Sequence, residues 1–284
     1  MKPARFAYCA PASVSDAVAR LAGEEDARVL AGGQSLVPTM NFRLARPSTL
    51  VDINRIADLA FVRPDGDRLR IGALARHCAF ESTLAPGPVG ALLPRVVRHI
   101  AHVPIRTRGT FVGSLSHADP ASEWCAVALT LSAEIEAWGP AGARAIAADD
   151  FFDTIFTTTL APGEMVTEIR LPLLDASWKC GFAEYARRAG DYAIAMAVAC
   201  LRVDGGTIAE ARIGLGSVVD RPIRSAPAEQ VLFGQAPDAA VFAAAGAAAA
   251  AAVDPLEDMH SDAAYKRDLI RAMVRRALAD AVLS

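Results

Sequence analysis

Apolar positions in the first fifty residues switch from a helical to a strand-like spacing. Val14, Ala17, Val18 and Leu21 fall on one helical face behind Ser13 and ahead of Gly23, which predicts a helix opened by a hydroxyl cap. The short apolar runs at 28–30 and 50–53 predict two strands, with an irregular or briefly helical stretch between them. From about residue 59 the pattern becomes one of strands separated by turns. Strand candidates lie at 65–74, 133–138, 143–151 and 163–172, and a helical segment at 91–102. Beyond Pro172 three further strand candidates, at 182–189, 193–203 and 208–218, follow in series with a turn at Asp204-Gly205-Gly206, as in an antiparallel sheet. Two helices close the chain. The first is alanine-rich. In the second, Leu269, Met273, Ala277 and Ala281 form a stripe that Val274 and Leu278 widen, and Arg267, Arg271 and Arg275 form a basic outer face. No internal repeat is visible.

Composition narrows the function classes. The chain has 284 residues, 53% of them hydrophobic and 21% charged, which places it among globular proteins. Its 29 basic and 32 acidic residues give a net charge of −3, which argues against nucleic-acid binding. The apolar run at 239–253 is too short and too rich in alanine to cross a membrane, and Pro3, Pro11 and Ser13 interrupt any secretory core at the start. Five scattered cysteines without a C-x-x-C pair read as reduced thiols of a cytoplasmic protein, with no metal site.

Two segments carry chemistry. The first, Ala31-Gly32-Gly33-Gln34-Ser35-Leu36, leaves a strand on paired glycines, so its amides can converge on an anion such as phosphate. It is neither G-x-G-x-x-G nor a Walker A loop. On its own it serves equally well as a tight turn. The second, 109–120, repeats the logic as a loop of small and hydroxyl residues, with Asp119 expected to cap an apolar helix starting near Pro120. His99 and His102, three apart on a predicted helix, lack a third ligand and read as an ordinary pair. His117 beside Asp119 lacks a nucleophile motif. The arginines at 95, 98, 106 and 108 form a basic stretch that suits a solvated face, an acidic partner or a pyrophosphate.

Taken together, the blocks AGGQSLVPTMNFRLARPSTLVDINR, RGTFVGSLSHADPASEWCAV, DDFFDTIFTTTLAPGEMVTEIRLP and EYARRAGDYAIAMAVA, with the ending SDAAYKRDLIRAMVRRAL, resemble the FAD-binding medium subunit of the molybdenum hydroxylases, the family of xanthine and carbon monoxide dehydrogenases. The resemblance implies an α+β chain with a vanillyl-alcohol-oxidase-type FAD-binding fold: two α+β subdomains, 1–57 and 58–175, and a C-terminal α+β domain, 176–284, with a three-stranded antiparallel sheet and helices. By the same resemblance Val29, Leu30, Ala31, Gly32, Gly33, Gln34, Ser35 and Leu36 wrap the FAD pyrophosphate. Thr110, Gly113 and Ser114 meet the cofactor from the second loop, with Asp119 behind them. Ile100 and Val166 wall the rings, Glu123 stands near a ribose, and Tyr192 lies in the block covering the isoalloxazine.

The implied role is an oxidoreductase subunit that binds FAD non-covalently and passes electrons from [2Fe–2S] clusters to an external acceptor, with no catalytic acid–base residue of its own. A molybdopterin-bearing large subunit and a [2Fe–2S] small subunit are the expected partners, in a heterotrimer or a dimer of heterotrimers. The alternative is a stand-alone flavin or nucleotide module without those partners. Two positions depart from the family pattern. Val112 replaces the first of two loop glycines, and Glu184 occupies about the place of a lysine near the flavin.

Overall fold

The computed structural model describes residues 1–259 and 261–283. The first unit alternates strand and helix: β1 (Ala7–Cys9), α1 (Val14–Gly23), β2 (Arg28–Leu30), α2 (Leu36–Asn41) and β3 (Thr49–Asp52). Ser13 caps α1 by accepting a hydrogen bond from the Asp16 amide at 3.1 Å, and Ala17, Val18 and Leu21 turn inward, as their spacing required. The three strands pair in parallel in the order β1-β3-β2, so the chain crosses over a helix each time it returns to the sheet.

The second unit contains β4 (Val62–Asp65), β5 (Arg68–Gly72), α3 (Gly87–Val97), α4 (Val103–Arg106), α5 (Phe111–His117), α6 (Glu123–Thr130), β6 (Glu134–Gly139), β7 (Gly142–Ala147), β8 (Phe152–Thr154), β9 (Thr157–Thr158) and β10 (Met165–Pro172). Its five-stranded antiparallel sheet runs β4-β5-β10-β6-β7, with a bulge between Val166 and Glu168, and β8 and β9 form a separate hairpin. Every residue of α6 is buried, which is why its sequence shows no amphipathic stripe.

Three local expectations change here. Residues 111–117 are helix rather than loop, because the Thr110 side chain accepts the Gly113 amide at 3.0 Å and so caps α5. Asp119 does not cap a helix: its Oδ1 accepts the Ala121 amide at 2.9 Å in a side-chain turn, and α6 begins only at Glu123. His99 and His102 share no helix, since α3 ends at Val97 and His102 stands at the head of α4.

The third unit comprises β11 (Trp178–Tyr185), β12 (Ala195–Asp204), β13 (Thr207–Gly216), β14 (Ile223–Arg224), α7 (Ala226–Leu232), α8 (Ala239–Ala251) and α9 (Ala263–Leu283). The three foreseen strands are antiparallel neighbours, and a two-residue fourth, β14, joins the edge at Gly214 and Leu215; so short a run carries no periodicity to read. On α9 the residues Leu269, Met273, Val274, Ala277, Leu278 and Ala281 are buried as foreseen, together with Lys266, which pairs with Asp258 at 2.8 Å. Two hydrophobic cores result. One runs through the first two units into β11 and β12, and the other lies between the last sheet and α7 to α9. Arg95 of α3 bridges the two units, donating to Asp280 at 2.6 Å and to the Cys180 carbonyl at 2.5 Å. Part of the basic stretch thus docks internally. No helix among the described residues is long and apolar enough to cross a membrane.

Candidate functional site

Parallel pairing places the C-terminal ends of β2 and β3 at one edge of the small sheet, where the chain leaves β2 through residues 31–35. Gly33 takes φ of +71°, a left-handed conformation that admits the turn into α2. Gly32 is bare for a different reason. A Cβ built there would lie 2.7 Å from the Gly109 Cα and closer still to the Arg108 carbonyl oxygen, so the two glycine segments touch through their main chains. Residues far apart in sequence thus form one wall.

Side chains missed in the sequence reading lock this wall together. Asn54, just past β3, donates to the Ala31 carbonyl at 2.8 Å and to Asp52 at 2.6 Å. Arg76 donates to the Arg108 carbonyl and to Asn54 Oδ1, both at 2.5 Å. The His77 amide reaches the Gly109 carbonyl at 3.0 Å, and the His77 ring accepts the Trp124 indole N–H at Nδ1, also at 3.0 Å. Burial, then Arg106 and Arg76, push His77 down to about 4, so it stays neutral and can accept that bond. Asn54 follows a strand and carries a turn signal. Arg76 and His77 carry none, because their partners lie far away along the chain, on either side of Arg76 and well beyond His77.

The amides left over define what the wall can bind. Among the described residues the backbone N–H groups of Gly32, Gly33, Gln34, Ser35 and Leu36 have no protein acceptor, and nor does that of Val112. Gln34 folds back onto the Gly32 carbonyl at 3.0 Å and removes an acceptor from the rim. Arg76 and Arg108 make no ion pair among the described residues, so their positive charge is not cancelled locally. Half-buried free amides beside uncompensated guanidinium groups form an anion cradle, and a diphosphate has the charge and oxygen count to use it.

At the other end of α5, about 10 Å of helix away, lies a second cluster. Asp119 and Pro120 are tied to the third unit, the Pro120 carbonyl accepting the Ser217 amide at 2.7 Å while the Ser217 hydroxyl holds the Ala193 carbonyl. Glu123 follows in the first turn of α6, 8% exposed, and Tyr192 stands nearby, 70% exposed. Partial desolvation, then Asp119 and Glu123, raise the Tyr192 phenol. Gly190 packs against His102 and Ala101, seating the Tyr192 segment between 101–102 and 119–120. Ile100 and Val166 are members of the large core, 8% and 4% exposed. Val29 and Leu30 end β2, Thr110 is spent on its cap, and Ser114 lies inside α5. No group of three metal-ligating side chains occurs among the described residues.

Comparisons with known proteins fit this geometry. Residues 4–174 match the FAD binding domain in molybdopterin dehydrogenase, and residues 181–281 match the CO dehydrogenase flavoprotein C-terminal domain. The chain is 36% identical to the nicotine 6-hydroxylase medium subunit of Paenarthrobacter nicotinovorans, with 99% of each covered. It is 38% identical to the carbon monoxide dehydrogenase medium chain of Afipia carboxidovorans, with 98% of this chain and 97% of the other covered. In three dimensions it superposes on a chain of carbon monoxide dehydrogenase from Hydrogenophaga pseudoflava with a TM-score of 0.94 at 37% identity, covering 100% of this chain and 99% of that one. The corresponding TM-score for quinoline 2-oxidoreductase from Pseudomonas putida is 0.92 at 36% identity, with the same coverage.

Proposed function

Because this chain belongs to the FAD-binding medium-subunit family of the molybdenum hydroxylases, we propose that the wall of residues 32–36, 54, 76 and 108–112 is its cofactor cradle. The chain is the flavoprotein component of an oxidoreductase. The observation that carries the cradle is the row of free amides at 32–36, held against the Arg108–Gly109 backbone by the Asn54–Arg76 bonds. The residues present fit FAD: bare backbone and positive charge for its diphosphate, and an acidic cluster with a tyrosine one α5 length away for the rest of an extended dinucleotide.

FAD held by these residues would supply the redox chemistry, linking partner iron–sulfur clusters to an external acceptor. The chain's own residues hold and orient. Gly32 to Leu36, with Val112, donate backbone N–H groups, and Arg76 and Arg108 supply charge. Gly113 and Ser114 shape the second wall, Asp119 and Glu123 meet hydroxyls, Tyr192 covers the ring system, and Ile100 and Val166 keep water away from it. None of these residues transfers a proton in catalysis. Neither glycine loop has a His or Cys in an obvious linking position, which favours FAD held without a covalent bond.

In the same reading, residues 1–57 and 58–175 clasp the cofactor and 176–284 cover it. The larger sheets, of three, five and four strands, fall one within each of those bounds and support that division, with His260 and Ser284 outside the described residues. A molybdopterin-bearing large subunit and a [2Fe–2S] small subunit complete the enzyme, in a heterotrimer or a dimer of heterotrimers. The names of the relatives support this, being medium chains and subunits of complexes. Five cysteines read as reduced thiols support a cytoplasmic location. The test is to purify the chain with whatever accompanies it. Stoichiometric flavin and co-purifying molybdenum and iron–sulfur chains are expected. A yellow protein that always remains alone supports the stand-alone module, and a colourless one that takes up no added FAD overturns the cradle.

A further inference from the structure

The β8–β9 hairpin stands apart from the three larger sheets. Its turn residues, Ile155 and Phe156, are both exposed, yet Phe156 holds φ of +55°, a left-handed position where glycine is at ease and a bulky side chain is strained. Such strain persists only where the surroundings impose it. Here they do. The Phe156 amide donates to the Ala118 carbonyl at 3.0 Å, and its ring lies against that of His117, with centroids 4.9 Å apart and planes tilted by 31°. His117 ends α5, Ala118 caps it in a left-handed conformation, and Asp119 follows directly.

The rest of the hairpin reaches the third unit. The Thr154 hydroxyl donates to Asp220 Oδ2 at 3.0 Å, and Arg221 donates from Nη1 to the Asp153 carbonyl at 2.6 Å. The same loop carries Ser217, left-handed at φ of +65°, whose amide and hydroxyl donate to the Pro120 and Ala193 carbonyls. These bonds flank Asp119 on both sides, at Ala118 and Pro120, and end beside Tyr192, at Ala193.

We propose that the β8–β9 hairpin is a clasp on the cofactor cleft: by tying the end of α5 to loop 217–221, with Phe156 and Arg221 as positioning residues, it holds the third unit against the second and slows the escape of FAD. The inference rests on the flavin reading of the cleft and extends it to residues outside the proposed cradle. Exposed, largely polar contacts of this kind open at far lower cost than the buried cores on either side, as a latch must.

The test uses the flavin-loaded protein as purified, with any subunits that accompany it, and reads FAD release from the rise of free-flavin fluorescence after dilution. Asp220→Ala combined with Arg221→Ala removes both bonds to the third unit, and release is expected to quicken about tenfold, the factor that two hydrogen bonds between partly solvated groups are worth. Phe156→Gly separates the clasp from plain stability. It takes the ring away from His117 but relieves the left-handed φ, so release quickens about threefold with no fall in the denaturant midpoint. Phe156→Tyr keeps wild-type release. Hydrogen exchange reads the joint without flavin: the Phe156 and Ser217 amides are expected to quicken together in the double variant. Unchanged release in the double variant, release that quickens in Phe156→Gly only in step with a falling midpoint, or exchange that quickens at Ser217 alone overturns the inference. Failure of the chain to take up FAD, with the two amides still quickening together, removes the flavin reading and leaves the hairpin standing as the joint between the units.

Discussion

Replacing Gly32 with alanine tests the contact between the two glycine segments. The added methyl would sit 2.7 Å from the Gly109 Cα, about 0.7 Å inside the 3.4 Å at which ordinary carbon contact begins, and nearer still to the Arg108 carbonyl oxygen. Both obstacles are backbone, so the segments must part. The Arg108 carbonyl is also the acceptor for Arg76, and the Gly109 carbonyl for the His77 amide, so separation strains two hydrogen bonds. Overpacking of this kind costs about 1–3 kcal/mol of stability. Displacing even one amide from an anion loses about 1.5–3 kcal/mol of binding, on the order of 10- to 150-fold in FAD affinity. Gly33→Ala is the control. Its Cβ meets only the Leu30 and Val37 side chains, at 3.1 and 3.3 Å, and the left-handed φ adds about 1 kcal/mol of strain. Denaturant titration and flavin quenching measure both terms. A Gly32→Ala chain with wild-type midpoint and affinity, or one less affected than Gly33→Ala, refutes the reasoning.

Other substitutions probe the remaining parts. His77 is held below its unfolded value, so the folded state binds fewer protons between pH 6.5 and about 4, and stability is lost as the pH falls through that window. The loss is about 3 kcal/mol, and His77→Gln, which keeps an acceptor for Trp124 without titrating, should abolish it in acid denaturation curves. Asp280→Ala removes the partner of Arg95 and of the Phe182 amide. A loss of about 1–2 kcal/mol, discounted because both ends of the ion pair are partly solvated, should appear in the denaturant midpoint. Tyr192 is 70% exposed, so Tyr192→Ala should change stability by less than about 0.5 kcal/mol. Fluorescence of the bound flavin should nevertheless rise when the phenol is removed, and unchanged fluorescence would dislodge Tyr192 from the ring face.

Periodicity revealed most of the architecture, because a helix or strand that buries one face must repeat its apolar residues. Ala17, Val18 and Leu21 of the α1 stripe, and the α9 stripe, are found buried. It failed where burial is two-sided or the segment is short. α6 is apolar all round, α5 hides behind glycine and serine, and β14 has two residues. Of the candidate site, the glycines and Thr110 announce themselves by type. Asn54, Arg76, His77 and Trp124 act through bonds that close only when the units come together, and no local pattern encodes such a bond.

The most direct measurement of the central claim is an experimental structure of the FAD-loaded chain or complex. The account predicts the diphosphate within hydrogen-bond distance of the 32–36 amides, with Gly109 still packed against Gly32. A diphosphate bound anywhere else, with those amides facing only water, would contradict it.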